Sequence, residues 1–267
     1  MKISIDRLQA FEPPEGYYLA FSGGKDSQCI YQLALEAGVK FDAHYNVTNV
    51  DPPPLTKFIR DNYPNVIWDY PKKSMWQLII EKKMPPTRQI RYCCEHLKEG
   101  EGKNRLCVTG VRRAESVKRS GRMPFEVLPV NKSDKVLFND NDDDRRLFEN
   151  CTVKGKRVVN PIIDWTDKDV WEFIHNRNLK YCYLYDDGYN RLGCIGCPLA
   201  TKKHQRMDFE RFPEYRQAYV NTFDKMLKFK GHSTIWKSGE DVMEWWTRDY
   251  SKGKVSPDNM ILEEFFD

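Results

Sequence analysis

The chain has 267 residues, enough to bury a substantial core either as one large α/β domain or as a domain with an appendage. Hydrophobic residues make up 40% and charged residues 31%, and no apolar run approaches the roughly 20 residues that cross a bilayer, which argues against a membrane protein. The net charge of +4 is too small to require a nucleic-acid partner but is compatible with one. Because the first residues lack the apolar stretch of a signal peptide, we expect a cytoplasmic protein.

The first predicted elements are a strand, a tight turn and a helix. Residues 17–21 form a short apolar run, a Ser-Gly-Gly turn follows, and a helical pattern then extends to the next glycine. Glycines let backbone N–H groups approach a ligand, while a helix N-terminus and the positive charge of Lys25 favour an anion. The alternative is an ordinary Gly-Gly turn in which Asp26 or Ser27 caps the helix. We favour a phosphate site in residues 22–27, called loop 22–27 below.

Short apolar strands then alternate with amphipathic helices. We predict strands over residues 41–50, 65–68 and 105–110, and helices over residues 55–63 and 74–83. This alternation predicts βαβ units and a mostly parallel sheet. In such sheets ligands gather beyond the carboxyl ends of the strands, so we expect loop 22–27 to share one rim with residues 48–51 and 110–115.

The second half of the chain is less regular. Residues 139–146 are an acidic and then basic run, which we interpret as a solvated loop rather than a divalent-cation site. Thr166 is predicted to cap a helix whose first turn carries Asp167. From residue 205 onward aromatic residues recur at helical spacing, which predicts a helical appendage packed through those side chains. We therefore predict two domains, residues 1–204 and residues 205–267.

Eight cysteines without a secretion signal argue for metal ligands or reactive thiols rather than disulfides. Four of them form two tight pairs, Cys93-Cys94 and Cys194-x-x-Cys197, which predict a Cys₄ metal site. Around one zinc ion, bonds of about 2.3 Å hold four sulfurs within about 4 Å of one another, and the adjacent Cys93 and Cys94 point too far apart for that. A 4Fe–4S cluster binds each thiolate to a separate iron atom and tolerates the divergence. We therefore favour the cluster over zinc or unmetallated thiols.

The other four cysteines are expected to be buried. Cys29 and Cys107 lie on apolar faces and are predicted to belong to the core. Cys151 and Cys182 lie near predicted loops, where a reactive thiol is the alternative to burial.

Five segments, in this order, resemble the phosphoadenylylsulfate reductase family of the PP-loop ATP pyrophosphatase superfamily. Loop 22–27, with the sequence Ser-Gly-Gly-Lys-Asp-Ser, resembles the PP-loop, and the Cys93-Cys94 pair follows it. Residues 110–116 are similar to the family's G-x-R-x-x-E-S. The remaining matches are residues 160–171 and residues 185–197, so that the resemblance extends from residue 17 to about residue 200.

The resemblance implies a Rossmann-like adenine nucleotide alpha-hydrolase fold, a doubly wound and mostly parallel α/β sheet, here with a C-terminal helical appendage. It also implies adenylate chemistry, in which a bond is cleaved at the α-phosphate or at a sulfur attached to it. The PP-loop and Arg112 and Arg113 would then hold phosphates, because N–H groups, Lys25 and a forked guanidinium stabilise charge on phosphate oxygens. With ATP as substrate, Asp26 or Asp51 would hold Mg²⁺.

The residue assignments follow from these motifs. The predicted catalytic residues are Lys25, Asp26, Arg112 and Arg113. The predicted nucleotide-binding residues are Ser22, Gly23, Gly24, Lys25, Asp26, Ser27, Thr48, Asp51, Gly110, Arg112, Glu115 and Ser116. The predicted metal ligands are Cys93, Cys94, Cys194 and Cys197. For the two arginines, the start of a surface helix is the alternative.

One family feature is missing from the sequence. The reductases use a nucleophilic cysteine in a C-terminal Glu-Cys-Gly-Leu-His segment, and this sequence has no cysteine after Cys197. The cluster-bearing branch also resembles sulfurtransferases of the DNA phosphorothioation type, which adenylate a target with ATP, release pyrophosphate and receive sulfur from a cysteine desulfurase. We therefore favour ATP-dependent sulfur transfer to a nucleic-acid or small-molecule acceptor, with a desulfurase or a nucleic acid contacting the basic stretches of the appendage. The alternatives are a sulfonucleotide reductase that uses Cys151 or Cys182, and a non-catalytic nucleotide-binding subunit.

Overall fold

A computed structural model describes the chain at residues 1–98, 102, 104–129, 136–138, 155–230 and 236–248. The chain forms two compact units that alternate along the sequence. The sheet unit comprises Met1–Asn46, Pro53–Asp69 and Glu101–Leu192, and the helical unit comprises Val47–Pro52, Tyr70–Gly100 and Gly193–Asp267. The acidic run at residues 139–146 and Cys151 lie outside the described residues. The predicted domain boundary after residue 204 stays a prediction.

The helices are α1 (Lys2–Ala10), α2 (Lys25–Ala37), α3 (Pro53–Asn62), α4 (Met75–Lys82), α5 (Tyr92–Leu97), α6 (Asp167–Asn176), α7 (Lys202–Arg211), α8 (Pro213–Lys230) and α9 (Gly239–Thr247). The helices predicted after loop 22–27, at residues 55–63 and at residues 74–83 are confirmed as α2, α3 and α4. Helix α1 was not predicted, because its buried residues are only Ser4, Arg7 and Leu8 and give a weak apolar pattern. Within the described ranges, no helix is long and apolar enough to cross a membrane.

The strands are β1 (Tyr17–Ala20), β2 (Phe41–Asn46), β3 (Ile67–Asp69), β4 (Cys107–Val108), β5 (Phe125–Pro129), β6 (Val136–Phe138) and β7 (Gly155–Val159). They form a seven-stranded sheet in the order β3-β2-β1-β4-β7-β5-β6. Strand β1 is parallel to β2 and β4, β2 to β3, and β4 to β7, whereas β5 is antiparallel to β7 and β6. The predicted doubly wound, mostly parallel α/β sheet is confirmed.

The direction of winding reverses between β1 and β4. The chain moves outward from β1 to β2 and β3, and it then returns to place β4 at the opposite edge of β1. The two strands are parallel neighbours, with Leu19 opposite Val108. Their carboxyl ends therefore open onto one crevice, the usual ligand position in a doubly wound sheet. Loop 22–27 and residues 110–115 both begin at this crevice.

Two strands are well short of their predicted length, and β3 covers Ile67–Asp69 rather than residues 65–68. Strand β2 ends at Asn46 rather than at residue 50, because Asn49 has a φ of 65° in the left-handed region and Pro52 follows shortly after. Strand β4 covers only Cys107–Val108 of the predicted residues 105–110. The antiparallel strands β5 and β6 lie in the part of the sequence that showed no regular pattern, so their pairing was not predicted.

Helix α6 brings an acidic first turn to the sheet unit. Its predicted cap is confirmed: the Thr166 hydroxyl accepts a hydrogen bond from the Asp169 N–H, and the Asp169 carboxylate accepts one from the Thr166 N–H. The opposite side of the helix buries Val170, Phe173 and Ile174. This amphipathic arrangement leaves Asp167, the first residue of the helix, exposed at its N-terminal end.

The helical unit is held together by aromatic side chains. Tyr219 and Phe223 on α8 and Trp246 on α9 are buried, and the Tyr219 and Trp246 rings lie 4.9 Å apart. The Trp246 indole N–H donates a hydrogen bond of 2.7 Å to the carbonyl of Pro86. Phe209 on α7 stacks edge-on against Tyr219. The prediction that the C-terminal aromatics form a core is confirmed for these residues.

Candidate functional site

Loop 22–27 connects β1 to α2 and leaves backbone donors at its helix end. Gly24 is the N-cap of α2 and, being glycine, has no side chain to supply a capping hydrogen bond. The Ser22 hydroxyl donates to the Ser27 hydroxyl, which in turn donates 2.8 Å to the Gly24 carbonyl and closes the turn. Within the described residues, the N–H groups of Asp26 and Ser27 have no acceptor. These two donors can bind anionic oxygens.

Four charged side chains form a closed ring beside this helix end. The Arg112 Nε donates 2.6 Å to Asp26 Oδ1, and Arg112 Nη2 lies 3.1 Å from Asp167 Oδ1. The Lys25 Nζ lies 3.2 Å from the same Asp167 oxygen and 3.8 Å from Asp26 Oδ2. The ring therefore alternates two cations with two carboxylates, and the cations are nearly buried whereas Asp167 has a side chain 64% exposed.

The buried guanidinium of Arg112 keeps its charge. Burial opposes the charged form of Arg112, but the Asp26 carboxylate and its hydrogen bond outweigh burial and raise the pKa of this guanidinium. The ammonium of Lys25 also donates 3.0 Å to the carbonyl of Asn190. Two positive charges are thus held at the N-terminal turn of α2, where the helix dipole already favours an anion.

The segment that follows strand β4 places Arg112 beside loop 22–27. At the end of the strand, Gly110 lies so close to the loop that a Cβ there would be 3.1 Å from the Asp26 backbone. The Arg112 N–H donates to the Glu115 carboxylate, which also pairs with Arg119. The structure thus brings together loop 22–27, Gly110 and Arg112 among the predicted nucleotide-binding residues.

Other predicted residues of this segment lie elsewhere. The Arg113 guanidinium donates 2.5 Å to Asp164 Oδ1 and 2.9 Å to the carbonyl of Arg122, so it does not join the ring of charges at loop 22–27. Asp164 is shared with Arg7 of α1. Ser116 is exposed beyond the short 3₁₀ turn Arg113–Glu115. Through Asp164, Arg113 therefore links the segment after β4 to α1.

Sequence reasoning missed three residues at this site. Asp167 was predicted only as an acid in the first turn of a helix, yet it bridges Lys25 and Arg112. The Tyr185 hydroxyl accepts a hydrogen bond of 2.9 Å from the Lys25 N–H, and the carbonyl of Asn190 accepts one from the Lys25 ammonium. Residues 185–197 carried a signal, because they match a family segment, but the match did not indicate contact with loop 22–27.

The four predicted metal-ligating cysteines lie in the helical unit. Cys197 N–H donates 3.2 Å to the Cys194 carbonyl, forming a tight turn. A hydrogen bond between Cys93 and Cys94 raises the pKa of Cys93 and lowers the pKa of Cys94. Cys194 and Cys197 raise the pKa of Cys93 further, which places all four sulfurs in one neighbourhood. Among the described residues, however, no three His, Cys, Asp or Glu side chains are grouped as ligands of a metal ion.

Residues 48–51 also belong to the helical unit and contact the second cysteine pair. The Asp51 carboxylate accepts 2.8 Å from the Thr48 N–H, and the Thr48 hydroxyl lies 3.5 Å from the Cys194 sulfur. The Ile195 N–H donates 2.8 Å to the Val50 carbonyl. The charge interaction with Cys194, and to a smaller extent that with Asp51, raises the pKa of Lys98. Thr48 and Asp51 therefore brace the segment that carries Cys194.

The fold and loop 22–27 define an α/β protein with a PP-loop. A family model described as the phosphoadenosine phosphosulfate reductase domain matches residues 16–200. The chain belongs to this family.

The chain is also similar to two relatives of known name and to one solved structure. A protein named probable FAD synthase from Schizosaccharomyces pombe is 27% identical, over 73% of this chain and 66% of its own length. An adenosine 5'-phosphosulfate reductase from Oceanobacillus iheyensis is 38% identical over 34% of this chain and 28% of its own length. The crystal structure of phosphoadenylyl-sulfate reductase from Candida auris, a phosphate complex, covers 72% of this chain and 87% of that one, with 16% identity and a TM-score of 0.47.

The chain is shorter than several of its relatives. Two uncharacterized proteins of Methanocaldococcus jannaschii are 27% and 24% identical to it over 77% and 76% of this chain. The matches span 47% and 40% of the length of these relatives.

Proposed function

We propose that the chain binds an adenine nucleotide at loop 22–27 and cleaves ATP at the α-phosphate, forming AMP and pyrophosphate in a sulfur-transfer reaction. The observation that carries the proposal is the convergence of the Lys25 ammonium and the Arg112 guanidinium at a helix end where the N–H groups of Asp26 and Ser27 have no acceptor among the described residues. A phosphate chain supplies the anionic oxygens that the two N–H groups lack, and its negative charge is attracted to the two cations.

The proposed reaction has three steps. An oxygen of the acceptor attacks the α-phosphorus of ATP, the bond to the bridging oxygen breaks, and pyrophosphate leaves with the electron pair. The terminal sulfur of a partner's persulfide then attacks the activated atom and displaces AMP, and a thiol reductant cleaves the resulting disulfide, so that the acceptor carries sulfur in place of its activated oxygen. Lys25 and Arg112 stabilise charge on the phosphate oxygens during the first step. Asp26 would hold Mg²⁺ against the same oxygens.

The named relatives support an adenylyl nucleotide as the ligand. One is named for the synthesis of FAD and the other for the reduction of adenosine 5'-phosphosulfate, and both compounds contain an adenylyl group. In both, the adenylyl phosphorus carries the bond to the rest of the molecule. The proposal takes from them the nucleotide class and the position of cleavage.

Pyrophosphate release from ATP tests the proposed reaction. We expect release by the wild-type chain with a suitable acceptor, and its collapse in Lys25→Ala and Asp26→Ala. Lys57→Ala is the matched control, because Lys57 is an exposed lysine on α3 that pairs only with Asp61 among the described residues. Absence of release with every candidate acceptor, including nucleic acid, refutes the reaction.

We further propose that Cys93, Cys94, Cys194 and Cys197 hold a 4Fe–4S cluster. Four cysteine sulfurs in one neighbourhood are the donor set that such clusters use. The adjacent pair Cys93 and Cys94 favours a cluster, whose thiolates bind separate iron atoms, over the small tetrahedron of zinc. When bound, a 4Fe–4S cluster supplies one-electron redox chemistry.

Anaerobic purification with iron, sulfide and zinc analysis tests the cluster. We expect iron and sulfide in equal amounts and their loss in Cys94→Ser and Cys197→Ser. Cys29→Ala is the control, because Cys29 is a buried core cysteine of the sheet unit. Stoichiometric zinc, or no metal at all, refutes the cluster.

The proposal also includes a cysteine desulfurase as the sulfur donor, a nucleic acid as the acceptor and a cytoplasmic location.

A sulfonucleotide reductase is the second candidate, favoured by the 38% identity to the Oceanobacillus enzyme. It requires a nucleophilic thiol, and Cys182 is poorly suited because it is 1% exposed. The candidate predicts sulfite from adenosine 5'-phosphosulfate and a thiol reductant. A chain that retains its cluster but forms no sulfite rules this candidate out.

A further inference from the structure

The Tyr185 hydroxyl reaches the N-terminal turn of α2 from a distant part of the chain. It accepts the Lys25 N–H at 2.9 Å, although 160 positions separate the two residues. A Cβ on Gly24 would lie 3.3 Å from the same oxygen, so the hydroxyl rests directly on loop 22–27. The phenol is therefore part of the wall of the proposed phosphate site.

The Tyr185 hydroxyl has a proton left to donate. A phenol donates one hydrogen bond and accepts others, and here it accepts from Lys25, while its own O–H has no acceptor among the described residues. Burial raises the pKa of Tyr185, so the phenol stays protonated at neutral pH. The group is thus a neutral donor at the edge of an anion site.

Tyr185 does not block the remaining donors of the loop. It occupies the Lys25 N–H, whereas the N–H groups of Asp26 and Ser27 are free in the described structure. A phosphate that binds these two groups leaves the contact between Tyr185 and Lys25 intact. The hydroxyl can therefore act together with the backbone donors rather than compete with the phosphate.

The ring of Tyr185 is held in place by its neighbours. It packs edge-on against Trp171 of α6 with ring centroids 5.1 Å apart, and the turn Tyr183–Tyr185 packs on α3. A donor fixed in this way loses little conformational entropy when a ligand arrives.

From this geometry we infer that Tyr185 donates a hydrogen bond to the phosphate chain of the bound nucleotide and so is a binding residue of the site. The inference rests on the proposed function, because it takes ATP as the ligand. It adds a neutral side-chain donor from residues 185–197 to the charged groups Lys25 and Arg112.

Tyr185→Phe tests the inference, because phenylalanine keeps the ring and removes only the hydroxyl. We expect calorimetric titration to show roughly tenfold weaker binding of both ATP and inorganic triphosphate, since a hydrogen bond to a charged oxygen is lost. Tyr181→Phe is the control. Tyr181 packs against the same Trp171 at 5.1 Å, but its hydroxyl donates to Asp186 instead. Its removal is expected to leave both affinities at the wild-type value.

The outcomes separate this inference from the proposed function. Unchanged or tighter binding of ATP by Tyr185→Phe overturns the inference alone, because the hydroxyl then only occupies the Lys25 N–H in the free protein. Weaker binding of ATP with unchanged binding of triphosphate also overturns it, since the effect then concerns the adenosine. A wild-type chain that binds neither ligand overturns both the inference and the proposed function. Melting midpoints of the unligated variants show whether each one folds.

Discussion

Replacement of Asp167 by asparagine is expected to tighten the binding of metal-free ATP while it destabilises the fold. The Asp167 carboxylate lies within 3.2 Å of the Lys25 ammonium and 3.1 Å from the Arg112 guanidinium. It therefore neutralises the two cations that the proposal assigns to the phosphates. Asparagine has nearly the same shape and lacks the charge.

The magnitude follows from the position and exposure of the carboxylate. A phosphate oxygen that contacts the same two cations lies about 5 Å from Asp167, and two unit charges at that separation repel by about 1 kcal/mol in a water-like dielectric. The high dielectric is appropriate because the Asp167 side chain is 64% exposed. The variant is thus expected to bind ATP about fivefold more tightly. It loses an exposed ion pair and a favourable interaction with the α6 dipole, which together cost about 1 kcal/mol of unfolding free energy.

Calorimetric titration with ATP in EDTA at low salt measures the affinity, and urea unfolding measures the stability. Asp169→Asn is the matched control, because Asp169 lies in the same helical turn but caps Thr166 and contacts neither Lys25 nor Arg112. It is expected to leave the affinity unchanged. An Asp167→Asn variant that binds metal-free ATP no better than the wild type refutes the argument that this carboxylate competes with the phosphates.

Three further changes test other parts of the structure. Arg113→Ala is expected to lower the unfolding free energy by about 1 kcal/mol in urea titrations and to leave ATP affinity unchanged, because this guanidinium binds a half-exposed carboxylate away from loop 22–27. Gly196→Ala is expected to destabilise the chain by about 2–4 kcal/mol, since Gly196 has a φ of +71° and an added Cβ would overlap the Phe209 ring. Arg177→Ala is expected to cost under about 1 kcal/mol at pH 7, because Arg177 lowers the pKa of the exposed Glu36. That loss should vanish as the pH falls through the folded-state pKa of Glu36, where its carboxylate becomes protonated.

Each of these three expectations has a contradicting result. Reduced ATP affinity in Arg113→Ala would show that this arginine takes part in nucleotide binding. A Gly196→Ala variant with the wild-type melting midpoint would show that the Phe209 ring moves freely. A difference between Arg177→Ala and the wild type that persists below the pKa of Glu36 would mean that packing of the arginine, not its charge, stabilises the fold.

The elements predicted from the sequence were those whose cause is local. Helices α2, α3 and α4 follow from the spacing of their apolar residues. The N-cap residues Ser74 of α4 and Thr166 of α6 form hydrogen bonds with the residue three positions further along the chain. Helix α1 and the antiparallel strands β5 and β6 were not predicted. Strand pairing depends on distant partners, and α1 buries too few apolar residues to give a periodic pattern.

The sequence by itself determined the local features on which the proposed phosphate site in loop 22–27 rests. Its turn, its helix N-terminus and the charge of Lys25 all arise from adjacent residues, so their spacing is sufficient to predict them. Tertiary structure alone decided which other side chains meet the loop. Arg112 is 86 positions from Asp26 and Tyr185 is 160 positions from Lys25, and only the placement of β4 beside β1 and the packing of Tyr183–Tyr185 on α3 bring them together. Arg113 is separated from Arg112 because Arg112 is extended whereas Arg113 begins the 3₁₀ turn Arg113–Glu115, so that the two guanidinium groups reach different carboxylates.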